Sequence, residues 1–464
     1  MQLVKPKVIP ILDPGFRPAA LACRSFLAEA QACSDSVPVC LAIEQADGSV
    51  FHHHTRVFDE THTLAKGNFR FVERLIKFLL WGRGGFRVYV QGPESLAIKL
   101  QDYYQRTPTG QFDSEIMGNR IYGRAFEVLV TKKVPDEKSS STPLGRHLDG
   151  CRIGFDLGGS DRKVAAVING ECVFSEETAW SPITQSDPAY HFDGIMDSLL
   201  KAAAHLPRVD AIGGSVAGVY VNNRVKVASL FRGISPADFK SRIEDIFLDL
   251  RKVWNHVPFE VANDGEVTAL AGSMSLNDNS VLGLAFGTST AGGYVNSEGN
   301  ITSWLNEFAF VPVDYQTSSA VDEWSGDYGC GVQFFSQQAV NRLLKTAKIE
   351  VESNLGVPER LKFVQDLMAQ NDVRARQIYE TLGTYLGYQV AHFTAFYEIK
   401  HLLILGRVTT GEGGNIIVEQ ARNVLRTEFP ELAEKLAFHM PDEKEKRHGQ
   451  AIAAASLPSI LSPV

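Results

Sequence analysis

The sequence predicts an α/β protein of two to three domains, in which a smaller α+β domain comes first. Three observations lead to this prediction. The chain has 464 residues, which is too long for one ordinary core. A polar, Ser-rich segment at 135–144 (PDEKSSSTPL) divides it. Beyond this segment, short apolar runs followed by Gly or Asp alternate with helical patterns, as in buried sheets that end at a site.

The composition is that of a soluble globular protein, with 44% hydrophobic and 22% charged residues. A net charge of −8 argues against broad binding to nucleic acid or to an anionic membrane surface. The first residues are interrupted by prolines and lack the apolar core of a signal peptide, and no run of about 18 apolar residues occurs. Six scattered cysteines without a CxxC pair favour reduced thiols and a cytoplasmic location.

The N-terminal domain, residues 1–135, is predicted to be α+β. Residues 37–58 alternate around Asp47-Gly48, which indicates a hairpin. Residues 68–82 place apolar side chains at a spacing of three to four, which predicts an amphipathic helix. A strand at 86–90, a helix at 94–106 and a strand at 121–131 complete the domain. No catalytic motif occurs here, so the role of the domain is left open.

A histidine run in the second strand of this hairpin raises the question of a metal site. In a strand, His52 and His54 share one face and His53 points away from it. Cysteines or carboxylates at a ligand spacing are not recognised nearby. A solvated strand face is therefore the favoured interpretation, and a metal site is the alternative.

From Cys151 onward the chain is predicted to alternate strands and helices. The expected strands are 152–156, 163–168, 211–215, 259–262, 281–285, 291–295 and 402–405. The expected helices are 194–205, 236–254, 266–276, 332–348, 373–396 and 416–426.

The segment 153–170 (IGFDLGGSDRKVAAVING) is the first that suggests chemistry. Asp156 at a strand end can place its carboxylate near a metal-bound phosphate. Gly158, Gly159 and Ser160 would let backbone N–H groups approach that phosphate closely. The segment is neither a Walker loop nor a dinucleotide fingerprint. An ordinary hairpin with a Gly-Gly turn is the alternative.

Three later segments could supply partners for this turn. Asn263-Asp264 follows an apolar strand and precedes a helix, so Asp264 could be a general base or either residue a helix cap. A second strand–turn–strand unit could bind phosphate or be a simple hairpin; its turn consists of Gly287, Thr288 and Ser289. The strand at 402–405 runs into a loop with Gly413 and Gly414, which could hold a nucleotide or merely connect strand and helix.

The order of these segments resembles the sugar kinase/actin/heat-shock ATPase superfamily and, within it, the ROK family (repressors, open reading frames, kinases). The resemblance covers about residues 151–461. It rests on 153–164, on 211–222 (AIGGSVAGVYVN), on 261–272, on 287–299 and on the small-residue segment 448–455.

The resemblance implies two actin-like (RNase H-like) lobes around a nucleotide cleft. The first lobe would span 149–271 and the second 272–447, with 136–148 as linker and 448–464 as a C-terminal helix that returns to the first lobe.

It further implies ATP and Mg²⁺ as cofactors, with Asp264 as the general base on a sugar hydroxyl. Asp156 would lie near the metal, and Asn263 and Glu307 would bind the sugar. The phosphates and nucleotide would be bound by Gly158, Gly159, Ser160, Gly287, Thr288, Ser289, Gly413 and Gly414.

The chain departs from the family in the motifs that bind the sugar and the zinc ion. Many ROK kinases have a Gly-Glu-x-Gly-His motif, but here Phe310 occupies the His position after Glu307. Of the family's zinc motif only Cys330 is present, and the expected Glu is Val332 or Gln333. No structural zinc is therefore expected, and the identity of the sugar is open.

We therefore expect an ATP-dependent kinase that phosphorylates a hydroxyl on a sugar or sugar derivative. The alternatives are a non-catalytic ROK-like ligand sensor or regulator and an ATPase that acts on a protein partner. The expected partner is a small-molecule sugar, with no nucleic acid and no membrane. A homodimer is the default expectation for the oligomeric state.

Overall fold

The computed structural model describes residues 1–139, 144–440 and 443–460. Residues 140–143, in the segment expected as a linker, and residues 461–464 therefore lie outside the described residues. On either side of 140–143, Lys138 bridges to Val50 and Leu144 bridges to Ile301. No helix in the described ranges has both the length and the apolar character needed to span a membrane.

The N-terminal unit is a four-stranded sheet with helices, in agreement with the predicted α+β domain. Its strand order is β2-β1-β3-β4, with β3 and β4 parallel and the other pairs antiparallel. The strands are β1 (Val37–Glu44), β2 (Val50–Val57), β3 (Arg87–Gln91) and β4 (Glu127–Val130). The helices are α1 (Ala19–Ala32), α2 (Asn68–Arg83), α3 (Glu94–Arg106) and α4 (Pro108–Glu115).

The strand expected at 121–131 is shorter than predicted. A π-helix, Ile116–Tyr122, continues from α4 and ends at Gly123 in a left-handed conformation. The chain reaches the sheet only at Glu127, so β4 has four residues.

The first lobe is built on a five-stranded sheet with the order β11-β8-β5-β6-β7. The strands β5, β6 and β7 form an antiparallel meander, and β8 and β11 run parallel to β5. The bounds are β5 (Cys151–Leu157), β6 (Asp161–Ile168), β7 (Glu171–Ala179), β8 (Ala211–Val216) and β11 (Phe259–Asn263). A separate ribbon consists of β9 (Val219–Val221) and β10 (Arg224–Val227).

The helix expected at 236–254 is broken in the structure. It consists of α6 (Pro236–Asp238), a π-helix and α7 (Ile246–Val253); α5 (Pro188–Ala203) precedes it. The break lies at Glu244, whose carbonyl oxygen accepts a hydrogen bond from the N–H of Val225 at 3.0 Å. Pairing with the ribbon thus takes this carbonyl away from a regular helix.

The second lobe repeats the topology of the first with a smaller sheet, ordered β13-β12-β14-β15. Its strands are β12 (Val281–Phe286), β13 (Thr290–Val295), β14 (His401–Leu405) and β15 (Ala437–His439). Helix α8 (Asp264–Leu276) connects the two lobes, and the helices that follow are α9 (Gln337–Thr346), α10 (Val357–Ala369), α11 (Val373–Phe393), α12 (Glu412–Glu428) and α13 (Pro430–Ala433). In both lobes an antiparallel hairpin is followed by a strand parallel to the hairpin's first strand, which is the pattern of paired actin-like lobes.

The last helix, α14 (Glu443–Ala455), lies on the first sheet. A Cβ added at Gly213 of β8 would lie 1.7 Å from the carbonyl oxygen of Ala454, so the helix and the strand are in backbone contact. The C-terminal segment thus covers β5 and β8, the strands that lead to the site described below.

The helix α2 is buried on all sides, whereas the sequence predicted an amphipathic helix. Its charged residues Glu73, Arg74 and Lys77 are each at most 4% exposed. They are tolerated because Arg74 pairs with Glu73 and with Asp327 of the second lobe, and Lys77 pairs with Asp113 and Asp327. A single hydrophobic core accordingly joins the N-terminal unit to the second lobe.

Candidate active site

The carboxyl end of the first sheet presents Asp156 beside two positioning side chains. Asp156 of β5 pairs in register with Ser215 of β8, and the Ser215 hydroxyl donates to Asp156 Oδ1 at 2.7 Å. Gln450 of α14 donates to Ser215 Oγ at 3.0 Å, and Lys163 Nζ lies 3.4 Å from Asp156 Oδ2. Burial raises the pKa of Asp156, while Ser215 and Lys163 oppose that rise. The carboxylate is thus held at a strand end by two neighbouring elements.

The turn that follows Asp156 is held in shape by its own backbone and by one tryptophan. The Gly158 N–H donates to the Asp161 carbonyl at 2.9 Å, and the Trp180 indole donates to the Gly158 carbonyl at 2.8 Å. Gly159 and Ser160 at the tip are exposed. A shaped turn with an exposed tip can present N–H groups to an anion.

Of the Asn263-Asp264 pair, the first residue caps the helix, and the role of the second as a general base stays a prediction. Asn263 is the helix cap, because its Oδ1 accepts from the Gly265 N–H at 2.8 Å while its Nδ2 donates to the Gly218 carbonyl at 2.7 Å. Asp264 is the first residue of α8 and is half-buried. Burial and the nearby charge of Asp156 raise the pKa of Asp264 to about 6.

Asp264 lies where the two sheets approach each other. A Cβ added at Gly293 of β13 would lie 2.1 Å from the Gly265 carbonyl oxygen, so the start of α8 is in backbone contact with the second sheet. A cavity of about 60 Å³ beside Asp264 is lined by residues of α8 and of the second sheet, namely Gly265, Thr268, Gly283, Ala285, Ala291 and Leu405. The carboxylate therefore sits at the junction of the lobes.

The second glycine turn, between β12 and β13, is also closed by a backbone hydrogen bond. The Gly287 N–H donates to the Ser289 carbonyl at 3.0 Å, and the Gly287 carbonyl accepts from Gln337 at the start of α9 at 2.9 Å. Thr288 and Ser289 are exposed. Each sheet thus carries a tight, exposed Gly/hydroxyl turn next to its first strand.

Gly413 and Gly414 lie inside the first turn of α12 and are buried. A Cβ at Gly413 would lie 2.4 Å from the Tyr379 ring, and one at Gly414 would lie 2.1 Å from the Thr409 carbonyl oxygen. Close packing of α12 therefore accounts for both glycines, and their contact with a nucleotide stays a prediction.

Glu307 belongs to a loop whose backbone is hydrogen-bonded to the end of α2. The backbone N–H groups of Leu305, Asn306 and Glu307 donate to the carbonyls of Arg83, Gly82 and Trp81 at 3.3, 2.9 and 2.9 Å. These are carbonyls of the last turn of α2, which lack partners within the helix. Burial and the charge of Asp264 raise the pKa of Glu307 to about 7. The N-terminal unit therefore positions the residue expected to contact the sugar.

Phe310 and the segment around Cys330 also contact the N-terminal unit. The Phe310 ring lies 4.2 Å from that of Trp81 and 5.5 Å from that of Phe112, measured between centroids. Cys330 is fully buried, and the preceding Asp327 pairs with Arg74 and Lys77 of α2. Val332 and Gln333 lie in the short 3₁₀-helix Gly331–Gln333.

A cavity of about 300 Å³ opens beside Asn263 and is walled by three parts of the chain. The first lobe contributes 218–223, which include β9, and 260–263 at the end of β11; the second lobe contributes its loop 302–305. The N-terminal unit contributes the hairpin turn 45–47 together with Ile121 and Tyr122. Sequence reasoning missed these last residues, because a hairpin turn far away along the chain carries no chemical motif.

A third acid, Glu266, lies two residues after Asp264 in the first turn of α8. It lines the same cavity and is 8% exposed. Asn306 Nδ2 donates to its Oε1 at 3.4 Å, and burial raises the pKa of Glu266 to about 8. Glu266 could not be recognised from the sequence, since a Glu in a first helical turn is an ordinary feature.

Comparison with known proteins rests on structure alone, because no family model and no curated protein matches the sequence. The ROK hexokinase from Thermus thermophilus is similar with a TM-score of 0.51 and 16% identity, over 66% of this chain and 97% of the hexokinase. A ROK family transcriptional regulator, a homolog of the E. coli MLC protein, is similar with a TM-score of 0.53 and 17% identity, over 83% of this chain and 96% of the regulator. A ROK family glucokinase from Streptomyces griseus, in complex with glucose and AMPPNP, has a TM-score of 0.47 and 19% identity, over 66% of this chain and 98% of the glucokinase.

The similarities to the hexokinase and to the regulator confirm the fold that the sequence resemblance implied. Hexokinase and regulator are matched over nearly their whole lengths, and the hexokinase leaves about a third of this chain unmatched. The protein therefore has the fold of these ROK proteins.

Proposed function

We propose that this protein transfers the terminal phosphoryl group of ATP to a hydroxyl of a sugar or sugar derivative. The observation that supports this most is the placement of Asp264. It is half-buried at the junction of two sheets, and its charge acts on Glu307 while that of Asp156 acts on it. In each of the two sheets, an exposed turn of glycine and hydroxyl residues follows the strand that comes first along the chain, β5 or β12. A base, a second carboxylate and two phosphate-binding turns are the parts that phosphoryl transfer needs.

Asp264 would act as the general base. A carboxylate with a pKa of about 6 is mostly ionised at neutral pH and still basic enough to accept a proton from the acceptor hydroxyl. Such a group contributes about 10²–10⁴-fold to a rate. Asn263 caps α8 and fixes the helix start, and thereby the position of the neighbouring Asp264.

Asp156 is the residue that would hold Mg²⁺. Its carboxylate is an oxygen ligand of the type that Mg²⁺ prefers, and the contact of Oδ2 with Lys163 Nζ is long, at 3.4 Å. When bound, the ion supplies charge neutralisation to the phosphates. Ser215, held by Gln450, keeps the other carboxylate oxygen in place.

The acceptor would occupy the space between Glu307 and Asn263, with the 300 Å³ cavity as its extension. The cavity is lined by amide, hydroxyl and carboxyl side chains that suit a polyhydroxyl molecule, among them Gln45, Asn222, Asn223, Thr302 and Ser303. Phe310 has no hydrogen-bonding group in its side chain, and its ring is packed on Trp81, so it cannot replace a histidine as a partner of a sugar hydroxyl. We therefore propose an acceptor that differs from the one gripped by a histidine at this position.

The direct test is a coupled kinase assay of the purified full chain with Mg-ATP and a broad sugar panel. We expect turnover with at least one sugar, and a loss of about 10²–10⁴-fold in kcat in Asp264→Asn with ATP binding retained. The matched control is Asp366→Asn, an exposed aspartate of α10 that should leave kcat unchanged. Absence of turnover with every sugar, or equal rates for Asp264→Asn and wild type, would exclude the kinase.

The second candidate is a ligand-sensing regulator without turnover. The similarity to the ROK transcriptional regulator favours this candidate, because it extends over 83% of this chain, whereas the similarity to the hexokinase extends over 66%. The two candidates are separated by calorimetry. A regulator would bind a sugar with no phosphorylated product, and its affinity would not require Mg-ATP.

A further inference from the structure

A cluster of one thiol and two imidazoles lies on the outer face of the N-terminal sheet. Cys40 of β1 pairs in register with His54 of β2, and the adjacent same-face pair is Ala42 with His52. Directly paired residues of antiparallel strands project to the same face. The possible ligand atoms of Cys40, His52 and His54 all lie within 4.8 Å of one another.

This face is opposite to the face that forms the core. The alternate residues of β1, Val39, Leu41 and Ile43, are at most 1% exposed and belong to the core shared with the second lobe. His53, which alternates with the cluster, stacks on Phe396 of the second lobe at 5.5 Å. The cluster is therefore separate from the Asp264 site and independent of the proposed kinase function.

We propose that Cys40, His52 and His54 form a zinc-binding site. Zinc prefers thiolate and imidazole ligands in a tetrahedron, at about 2.3 Å from sulfur and 2.0–2.1 Å from nitrogen. Three such ligands within 4.8 Å can close on one ion through side-chain rotations alone. The mixed sulfur and nitrogen donor set does not suit Mg²⁺ or Ca²⁺, which take oxygen ligands.

The surroundings of His52 match those of a metal-bound histidine. Its Nε2 lies 2.7 Å from the carbonyl oxygen of Pro135. A carbonyl only accepts, so Nε2 carries the proton and Nδ1 keeps its lone pair for a ligand. Metal-bound histidines commonly donate their second N–H to a backbone carbonyl, which fixes tautomer and ring orientation.

The segment after β4 offers a fourth ligand. The Glu137 carboxylate accepts from the backbone N–H of His52 at 3.2 Å, and the next residue, Lys138, bridges to Val50 of β2. This contact is to the backbone of His52, and the carboxylate lies outside the group of atoms within 4.8 Å of one another, so Glu137 would have to reorient to become the fourth ligand. The ion would then tie the β1–β2 hairpin to the stretch of chain that leads to the first lobe.

From the sequence, a solvated strand face was expected here, because no cysteine or carboxylate stands at a ligand spacing from the histidines along the chain. Cys40 lies 12 residues before His52, and only the cross-strand register brings the two together. The expectation of no structural zinc concerned a different segment, the one around Cys330. The present site differs from it in position and in ligands.

The test is a titration of the metal-free full chain with Co²⁺ and Zn²⁺. We expect one equivalent of Co²⁺ to produce a thiolate-to-cobalt charge-transfer band, Zn²⁺ to displace it, and Zn²⁺ to raise Tm. In Cys40→Ser the band should vanish, and in His54→Gln the metal affinity should fall at least tenfold. The matched control is Cys172→Ser, which removes an exposed thiol elsewhere and should keep the band.

Circular dichroism without metal shows whether each variant folds. His54 is exposed, so His54→Gln tests the site even where Cys40→Ser fails to fold. Glu137→Gln should weaken Zn²⁺ binding less than either. A cobalt spectrum without a thiolate band, or a band that is unchanged in both Cys40→Ser and His54→Gln, would overturn the proposal.

Discussion

The ring of Phe310 lies against the indole of Trp81 with a centroid separation of 4.2 Å. This contact joins the loop that carries Glu307 to the end of α2. The same helix end accepts backbone hydrogen bonds from residues 305–307, and Lys77 in the middle of the helix pairs with Asp327. The N-terminal unit is thus part of the candidate acceptor site and shares its core.

We expect Trp81→Ala to lower the free energy of unfolding by about 3–5 kcal/mol, because it removes a buried aromatic side chain. Trp81 is 2% exposed and its indole also donates to Asp113 at 2.9 Å. The backbone of Glu307, the residue expected to contact the acceptor, is hydrogen-bonded to this helix end. We therefore expect KM for the acceptor to rise more than KM for ATP.

The matched control is Trp324→Ala, because Trp324 is 72% exposed. Its effect on denaturant unfolding should stay within about 0.5 kcal/mol. Equal destabilisation by both variants, or an equal change of both KM values in Trp81→Ala, would contradict the proposed coupling.

Lys77 tests the buried charge network. Lys77→Met leaves Asp113 and Asp327 without this cation, and the expected cost is about 3–5 kcal/mol of unfolding free energy. The double variant Lys77→Met/Asp113→Leu should recover part of that cost, because Asp327 keeps Arg74 at 2.9 Å. Urea unfolding of the single and double variants measures both effects.

The exposed pair Lys252–Asp249 supplies the comparison. Lys252→Met should change stability by less than about 1 kcal/mol, as surface ion pairs contribute little. If Lys77→Met lowered the free energy of unfolding by no more than Lys252→Met does, the buried charge network would not have the stabilising role proposed for it.

The two-lobe fold could be predicted from the sequence because its signals are local. Short apolar strands that end in Gly or Asp were placed to within a few residues, and the turns at Gly158 and Gly287 follow from glycine-rich runs between strands. The order of these units along the chain then indicated the ROK fold, which the structural similarities confirm.

The role of the N-terminal unit could not be predicted, because it depends on contacts between distant segments. Lys77 and Arg74 indicated a solvated helix face until their partner Asp327, some 250 positions away, was known. Cys40 and His54 likewise become neighbours only through strand register. Such pairings leave no local pattern in one sequence.

The pH dependence of kcat/KM should report Asp264. The base must be ionised, and its pKa of about 6 predicts that kcat/KM falls about tenfold per pH unit below that value. Glu307, with a pKa of about 7, is mostly protonated where Asp264 titrates, so Glu307→Gln should leave the acidic limb near pH 6. Initial rates of both proteins across this range measure the position of the limb. An acidic limb at the ordinary pKa of an aspartate, 3.8, would rule out Asp264 as described.

Glu266 should make the folded protein lose stability as the pH rises. Burial raises its pKa from 4.5 to about 8, so the folded state holds a proton that the unfolded state has already released. The stabilising contribution is fully present below pH 4.5 and is lost as the pH rises through 8. Its loss amounts to as much as about 1.4 kcal/mol per pH unit between these values.

We therefore expect Glu266→Gln to show a flatter dependence of unfolding free energy on pH than wild type. The amide does not titrate and can still accept from Asn306 Nδ2, the present partner of Oε1. Urea unfolding between pH 4.5 and 8 gives both curves, with exposed Glu434→Gln as the control that should follow wild type. Parallel curves for Glu266→Gln and wild type would mean that Glu266 is ionised in the folded protein, and the cavity beside Asn263 would then carry one more negative charge.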